Sequence, residues 1–147
     1  MRISSKFQQF TGKKVLIIVA GSQEADFYIA GDGEIEKVRS FVVRKPRYSD
    51  REGFSVRSAG RKIIGSGSAN KAQSKKLAQD VAREFEQSLK ALARRSFDMV
   101  YLCAPADVIS VAREHMQRSL SDKLKKTVRG NFFKQHPFEI LEKLAAR

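Results

Sequence analysis

The sequence is poor in the residues that build cross-links and metal sites. It has one cysteine, Cys103, so no disulfide can form within the chain, and a reducing compartment, the cytoplasm, is the predicted location. The two histidines, His115 and His136, are far apart, and their spacing does not resemble that of a zinc site. We therefore predict that the protein binds no metal ion and no cofactor.

Long apolar runs are also missing. The longest, Val15–Ala20, has six residues, whereas a membrane-spanning helix needs about 20, so we expect no transmembrane segment. Residues 1–12 are basic, free of acids and without the apolar centre of a secretory signal. We interpret them as a flexible basic tail, with an organelle transit peptide as the alternative. Residues 13–147 are enough for a single α/β domain with its own core.

Positive charge, by contrast, is abundant and concentrated. The chain carries 29 lysines and arginines against 16 acids, a net charge of +13. Residues 44–76 hold ten of the cations and only two acids, Asp50 and Glu52, so their excess of +8 is more than half of the total. Such a concentration indicates a polyanionic partner: nucleic acid, a ribosome or an anionic membrane surface.

Apolar patterning predicts five strands. Continuous apolar runs at residues 13–21 and 97–105 are typical of strands buried on both faces. Residues 25–43 have the pattern of a β-hairpin, whose turn residues Gly31-Asp32-Gly33 tolerate positive φ. A short edge strand is predicted at residues 126–133.

The predicted helices alternate with these strands. Apolar residues spaced three and four apart predict a long helix over about residues 70–95, and Pro105 and Pro137 each open a shorter helix. Residues 44–69 have no clear periodicity, which predicts a long basic loop that is either functional or disordered. Strands and helices mixed in this way indicate an α/β fold with a single mixed sheet and flanking helices.

The segment SAGRKIIGSGSANKAQSKK (residues 58–76) combines glycine, serine and lysine ahead of the predicted helix. It does not fit the P-loop of nucleotide hydrolases, because Ser66 stands where that motif has its lysine and Gly67 where it has its hydroxyl residue. Free N–H groups before a helix, together with the positive end of its dipole, still attract phosphate. A solvated helix end after a flexible connector is the alternative, and the local charge excess favours phosphate binding.

Catalytic constellations are weak in this sequence. Asp26, Asp98 and Asp107 lie near predicted strands or strand ends, and clustered acids hold the metal ions of nucleases, so a metal-dependent nuclease stays an alternative. Cys103 lies in an apolar strand, where a cysteine packs as a small hydrophobe. We predict a non-enzymatic protein with no catalytic residue.

Three segments carry a family resemblance. LIIVAGSQEADFYIAGDGEIEKV (residues 16–38) resembles the opening hairpin of the bacterial host-attachment family, whose members are relatives of the central domain of archaeal and eukaryotic peptide release factors and of Pelota. FDMVYLCAPADVISVAREHM (residues 97–116) resembles the family's strand ending in Ala-Pro and the helix after it. KTVRGNFFKQHPFEILEKL (residues 126–144) resembles its closing strand and helix, and the resemblance as a whole covers residues 13–144.

This resemblance implies an RNase H-like α/β fold, as in the release-factor central domain, without nuclease activity. In the release factors the loop before the long helix carries Gly-Gly-Gln, which enters the peptidyl-transferase centre. This chain has no Gly-Gly-Gln, and Gln73 follows Ala72, which argues against peptide release. The family's Lys-Asp-Leu-Thr ahead of the last helix is here Lys134-Gln135-His136-Pro137, of which only the lysine carries over.

Charge and resemblance together predict an RNA-binding, ribosome-associated and translation-related factor. Its partner would be the ribosome or structured RNA, bound through phosphates and shape without DNA sequence specificity. A host-attachment module that binds an envelope component or a protein is the alternative. The predicted phosphate contacts and close-approach glycines are Arg44, Lys45, Arg47, Arg57, Arg61, Lys62, Gly65, Gly67, Lys71, Lys75 and Lys76.

Overall fold

The computed structural model describes residues 1–44 and 63–145, with the backbone alone for residues 63–74. These described residues form five strands and four helices. In chain order they are β1 (Val15–Ala20), β2 (Glu24–Gly31), β3 (Glu34–Val42), α1 (Ile63–Ala93), β4 (Met99–Ala104), α2 (Ala106–His115), α3 (Arg118–Ser121), β5 (Leu124–Arg129) and α4 (Pro137–Ala145).

The strands form one mixed sheet in the order β3-β2-β1-β4-β5. The hairpin strands β1, β2 and β3 pair antiparallel, whereas β1 pairs parallel with β4 and β4 parallel with β5. This is the RNase H-like arrangement that the resemblance implies. The predicted α/β fold, a single mixed sheet with flanking helices, is confirmed.

The central strands are as buried as their sequences predict. All six residues of β1 and all six of β4 are buried, because each strand has a neighbour on both sides and helices cover both faces of the sheet. The turn between β2 and β3 consists of Asp32 (φ 49°) and Gly33 (φ 79°), the left-handed pair that a two-residue hairpin turn needs. The Asp32 Oδ1 atom accepts a hydrogen bond from the Gly12 N–H at 2.7 Å, which fixes the turn to the preceding segment.

Strand alternation divides the core between the two faces of the sheet. On one face of the sheet, which we call the α1 face, sheet residues pack against α1 and α2. On the other face, which we call the α4 face, sheet residues pack against α4 and the N-terminal segment. The buried residues of the α1 face include Leu16, Ile18, Phe27, Leu89, Leu92, Leu102 and Ala112, and those of the α4 face include Ile3, Phe10, Ile17, Tyr28, Tyr101, Cys103, Ile140 and Leu141.

Residues 1–12, for which the sequence predicted a flexible tail, pack on the α4 face. Ile3 and Phe10 are 2% and 4% exposed, the Ile3 N–H donates to the Gly33 carbonyl at 2.7 Å, and the Phe10 ring lies 6.1 Å from that of Tyr101. Burying an apolar side chain of this size contributes about 1.5–3 kcal/mol, which offsets the cost of ordering the segment. The apolar residues here follow no helical or strand period, so patterning could not reveal this packing.

The helix predicted to open at Pro105 is α2. The Pro105 carbonyl accepts hydrogen bonds from the Val108 and Ile109 N–H groups, both at 3.0 Å. The helix ends at His115, because Met116 has extended backbone angles. None of the helices in residues 1–44 and 63–145 is long and apolar enough to cross a membrane.

Candidate nucleic-acid interface

Helix α1 is anchored to the sheet near its C-terminal end. Phe85 packs against Phe27 of β2 and Phe41 of β3, with ring centroids 5.7 and 6.3 Å away. The Arg39 Nε group of β3 donates to the Ser88 hydroxyl at 2.9 Å, so a polar contact lies beside this aromatic cluster. The helix is therefore held by the antiparallel half of the sheet at a level about two turns before its end.

The helix is much longer than the sheet that it covers. Its 31 residues span about 46 Å, whereas the six residues of β1 span about 20 Å. Phe85 is its first buried residue among those whose side chains are described, and none of residues 75–84 is buried. Ile63 lies about 33 Å along the axis from Phe85. The N-terminal half of α1 therefore extends beyond the buried core.

This overhanging half is basic and free of acids. Residues 63–79, which we call the α1 arm, contain Lys71, Lys75 and Lys76 and no aspartate or glutamate. The side chains of Lys75 and Lys76 are exposed. The first acid along the helix, Asp80, forms an ion pair with Arg83. With no acid in the first turn, nothing on the helix itself offsets the positive end of the helix dipole.

The structure corrects the position of the glycines that were predicted to precede the helix. Because α1 begins at Ile63 and not near residue 70, Gly65 and Gly67 lie in its first two turns, and the predicted loop ends earlier. In an α-helix only the first four N–H groups lack an intrahelical partner. The Gly65 N–H is among these free groups, whereas the Gly67 N–H donates its hydrogen bond within the helix. Close approach of a phosphate to the backbone is therefore available at the start of the helix and not at Gly67.

The other predicted contact residues fall into two groups. Arg44 is exposed and lies two residues after the end of β3, at the edge of the sheet where the C-terminal ends of β1 and β4 also lie. Helix α1 ends shortly before β4 begins, at the opposite edge of the sheet. The arm, which lies at the other end of α1, therefore extends towards the edge where Arg44 lies. The remaining predicted contacts lie outside the described residues: Lys45, Arg47, Arg57, Arg61 and Lys62.

The three acids considered for metal-dependent cleavage do not come together. Asp98 accepts a hydrogen bond from the Lys14 N–H at 2.8 Å, at the start of β1, whereas Asp26 pairs in register with Val19 near its end. Five residues of strand separate these levels by about 16 Å. Asp26 belongs to the α4 face by alternation, with Lys37 Nζ 3.6 Å from its carboxylate, and Asp107 lies on α2, which packs on the α1 face. The geometry supplies no shared metal site for the three.

The histidines are engaged in local contacts. His115 Nδ1 of α2 lies 3.7 Å from the Glu86 carboxylate of α1. His136 Nδ1 accepts a hydrogen bond from the Phe138 N–H at 3.1 Å at the start of α4. Across the part of the chain that the structure describes, no three His, Cys, Asp or Glu side chains gather as metal ligands.

Cys103 is a fully buried residue of the α4 face. Burial raises the pKa of its thiol to about 12, and Lys126 opposes this shift only in part. The reactive thiolate is therefore scarce at neutral pH, as expected for a packed side chain.

We expect Cys103 to resist alkylation in the native protein. At pH 8, iodoacetamide should modify Cys103 at least tenfold more slowly in the native protein than in the protein unfolded in guanidinium. Burial blocks access to the sulfur, and the raised pKa lowers the fraction of thiolate. The raised folded-state pKa also means that this thiol stabilises the fold below its ordinary pKa and that the contribution is lost as pH rises from about 9 towards 12. Mass spectrometry of the modified fraction over time measures the rate, and equal rates with and without denaturant would contradict the buried position.

Comparison with known proteins agrees with this architecture. An archaeal translation termination factor, aRF1, has a similar fold with a TM-score of 0.52 and 13% sequence identity; the match covers 90% of this chain and 35% of that one. The chain thus spans about a third of the length of aRF1. An ethanolamine utilization protein, EutJ, from Carboxydothermus hydrogenoformans matches with a TM-score of 0.40 and 11% identity over 89% of this chain and 48% of its own. No curated protein matches the sequence.

The fold is that of a release-factor-like α/β domain. The family model described as "Bacterial archaeo-eukaryotic release factor family 12" matches residues 14–144. The chain belongs to this family. The relationship to release-factor domains, which the sequence resemblance implied, is confirmed.

Proposed function

We propose that this protein is a translation-related factor that binds the ribosome, or structured RNA, through the α1 arm and the basic segment before it. The observation that carries the proposal is the acid-free arm, which extends beyond the core of the domain and presents Lys75 and Lys76 to solvent. A cationic surface separated from the bulk of its domain can reach a phosphate backbone without a clash between the domain and the RNA.

The spacing of the lysines supports an anionic partner. Lys71 and Lys75 are four residues apart in a helix, where like charges are neighbours and destabilise the helix by about 0.2–0.5 kcal/mol. A phosphate between such residues removes the repulsion and gains charge-assisted hydrogen bonds. Binding through phosphates positions the protein without reading bases, which fits a partner recognised by its shape.

Family membership supports translation as the setting. The similar fold of aRF1 belongs to a protein described as a translation termination factor. This chain has no Gly-Gly-Gln anywhere in its sequence, so we propose a binding role on the ribosome and not peptide release. The host-attachment module stays the alternative prediction, and no contact within the described residues favours it over RNA binding.

Co-sedimentation with ribosomes across a salt series tests the proposal. The purified protein is mixed with ribosomes, and in parallel with deproteinised ribosomal RNA, at rising salt concentrations. We expect saturable binding to ribosomes that persists at physiological salt, where non-specific electrostatic binding is weak. Binding that occurs only at low salt, and equally to any RNA, would contradict a ribosomal site. Binding to anionic vesicles in the absence of any RNA binding would favour the interaction-module alternative.

A further inference from the structure

A second group of cations surrounds a small pocket at the other end of α1. Arg94, Arg95 and Ser96 follow the last residue of the helix, and Ser119 of α3 and Lys123 face them across a cavity of about 220 Å³. No acidic residue lines this cavity. We call it the basic pocket.

The cations of the basic pocket are available to a ligand. Arg94, Arg95 and Lys123 are exposed, and in the described residues no carboxylate forms an ion pair with any of them. Lys14 Nζ lies 5.5 Å from the centroid of the Phe97 ring, a residue of the pocket wall, but Lys14 itself does not line the pocket.

Helix capping explains only part of this arrangement. Arginines just after a helix are favourable because they complement its negative end, and this accounts for Arg94 and Arg95. It does not account for Lys123 and Ser119, which come from a different part of the chain. The turns that hold them are fixed by backbone hydrogen bonds, from the Arg95 N–H to the Leu92 carbonyl at 2.9 Å and from the Lys123 N–H to the Leu120 carbonyl at 3.0 Å.

The chemistry of the lining residues specifies an oxyanion ligand. Guanidinium and ammonium groups with two hydroxyls are donors suited to phosphate oxygens. The cavity is smaller than the roughly 300–1,000 Å³ of pockets that enclose a drug-sized ligand. It therefore suits a phosphate group and not a whole nucleotide. Lys75 of the α1 arm and Arg95 are 20 residues apart in sequence, so the pocket lies about 30 Å from Lys75 along the helix axis.

We infer that the basic pocket binds a backbone phosphate of the RNA whose other phosphates contact the α1 arm. The inference rests on the proposed function and adds a second contact to it: the rigid helix sets the distance between two phosphate-binding surfaces. Two linked contacts at a fixed distance strengthen binding to a structured RNA that matches this distance more than to a flexible strand.

Fluorescence anisotropy with a labelled RNA hairpin of about 20 base pairs, measured across a salt series, tests the inference. The pocket variant Arg95→Gln/Lys123→Gln removes two charges, and the control Lys6→Gln/Lys143→Gln removes two exposed charges from segments that pack on the α4 face. We expect the pocket variant to bind about five- to tenfold more weakly, with a salt slope reduced by about 1–2, and the control to match the wild type. Lys123→Glu alone should also weaken binding.

The possible failures are distinguishable. If the pocket variant binds like the control while charge reversal in the α1 arm still weakens binding, the pocket inference falls and the proposed function stands. If the wild type does not bind RNA, both fall. Calorimetric titration with inorganic phosphate and with a nucleoside monophosphate separates the sources of phosphate: saturable binding of either, together with unchanged RNA affinity in the pocket variant, would overturn the RNA assignment.

Discussion

Charge reversal in the α1 arm, Lys71→Glu/Lys75→Glu/Lys76→Glu, is expected to abolish ribosome binding at physiological salt. Each lysine that contacts a phosphate releases a counterion on binding, so losing three contacts should lower the salt slope by about 2–3 and the affinity by roughly 100-fold. The three new carboxylates also repel the phosphates. Quantitative co-sedimentation at several salt concentrations gives both the affinity and the slope.

The fold should survive this change. Lys75 and Lys76 are exposed, and none of residues 75–84 is buried, so substitution at these lysines should alter the free energy of unfolding by no more than about 0.5 kcal/mol. The matched control Lys6→Glu/Arg113→Glu/Lys143→Glu makes the same net charge change at exposed positions on other elements. If control and arm variant lose ribosome affinity equally, binding depends on total charge and the arm is not the interface.

Truncation of the aromatic anchor, Phe85→Ala, is expected to cost about 3–5 kcal/mol of folding free energy. Phe85 is 3% exposed and packs against both Phe27 and Phe41, so its removal leaves a cavity between α1 and the sheet as well as losing apolar burial. Because domains of this size are stable by only about 5–15 kcal/mol, the loss is a large share of the total. Urea unfolding followed by circular dichroism measures it.

Two further variants serve as controls for this result. Phe85→Leu keeps most of the apolar volume, so its loss of folding free energy should be less than half of that caused by Phe85→Ala. Val42→Ala removes an apolar side chain that is 61% exposed, and its cost should stay within about 0.5 kcal/mol. If Phe85→Ala costs no more than Val42→Ala, the helix is not anchored by this cluster and the overhang described for its N-terminal half is wrong.

Much of the fold could be predicted from the sequence because its strongest patterns are local. Continuous apolar runs identified β1 and β4, the Asp32-Gly33 turn identified the hairpin, and Pro105 and Pro137 marked two helix starts. The start of α1 was misplaced because glycine and serine at residues 65–68 are weak helix formers. Extending an existing helix costs far less than nucleating one, so a helix anchored at Phe85 can include residues that would not begin a helix on their own.

The sequence alone determined the class of fold, the concentration of positive charge and the absence of Gly-Gly-Gln, because each of these depends on residue identity and short-range spacing. Only the tertiary structure decided where these charges lie relative to the core and to one another. It placed the α1 arm beyond the core, through a helix longer than the sheet and anchored at one end. It also brought Lys123 opposite Arg94 and Arg95 and separated Asp98 from Asp26 along β1. These distances follow from strand order and helix packing, which join residues far apart in sequence.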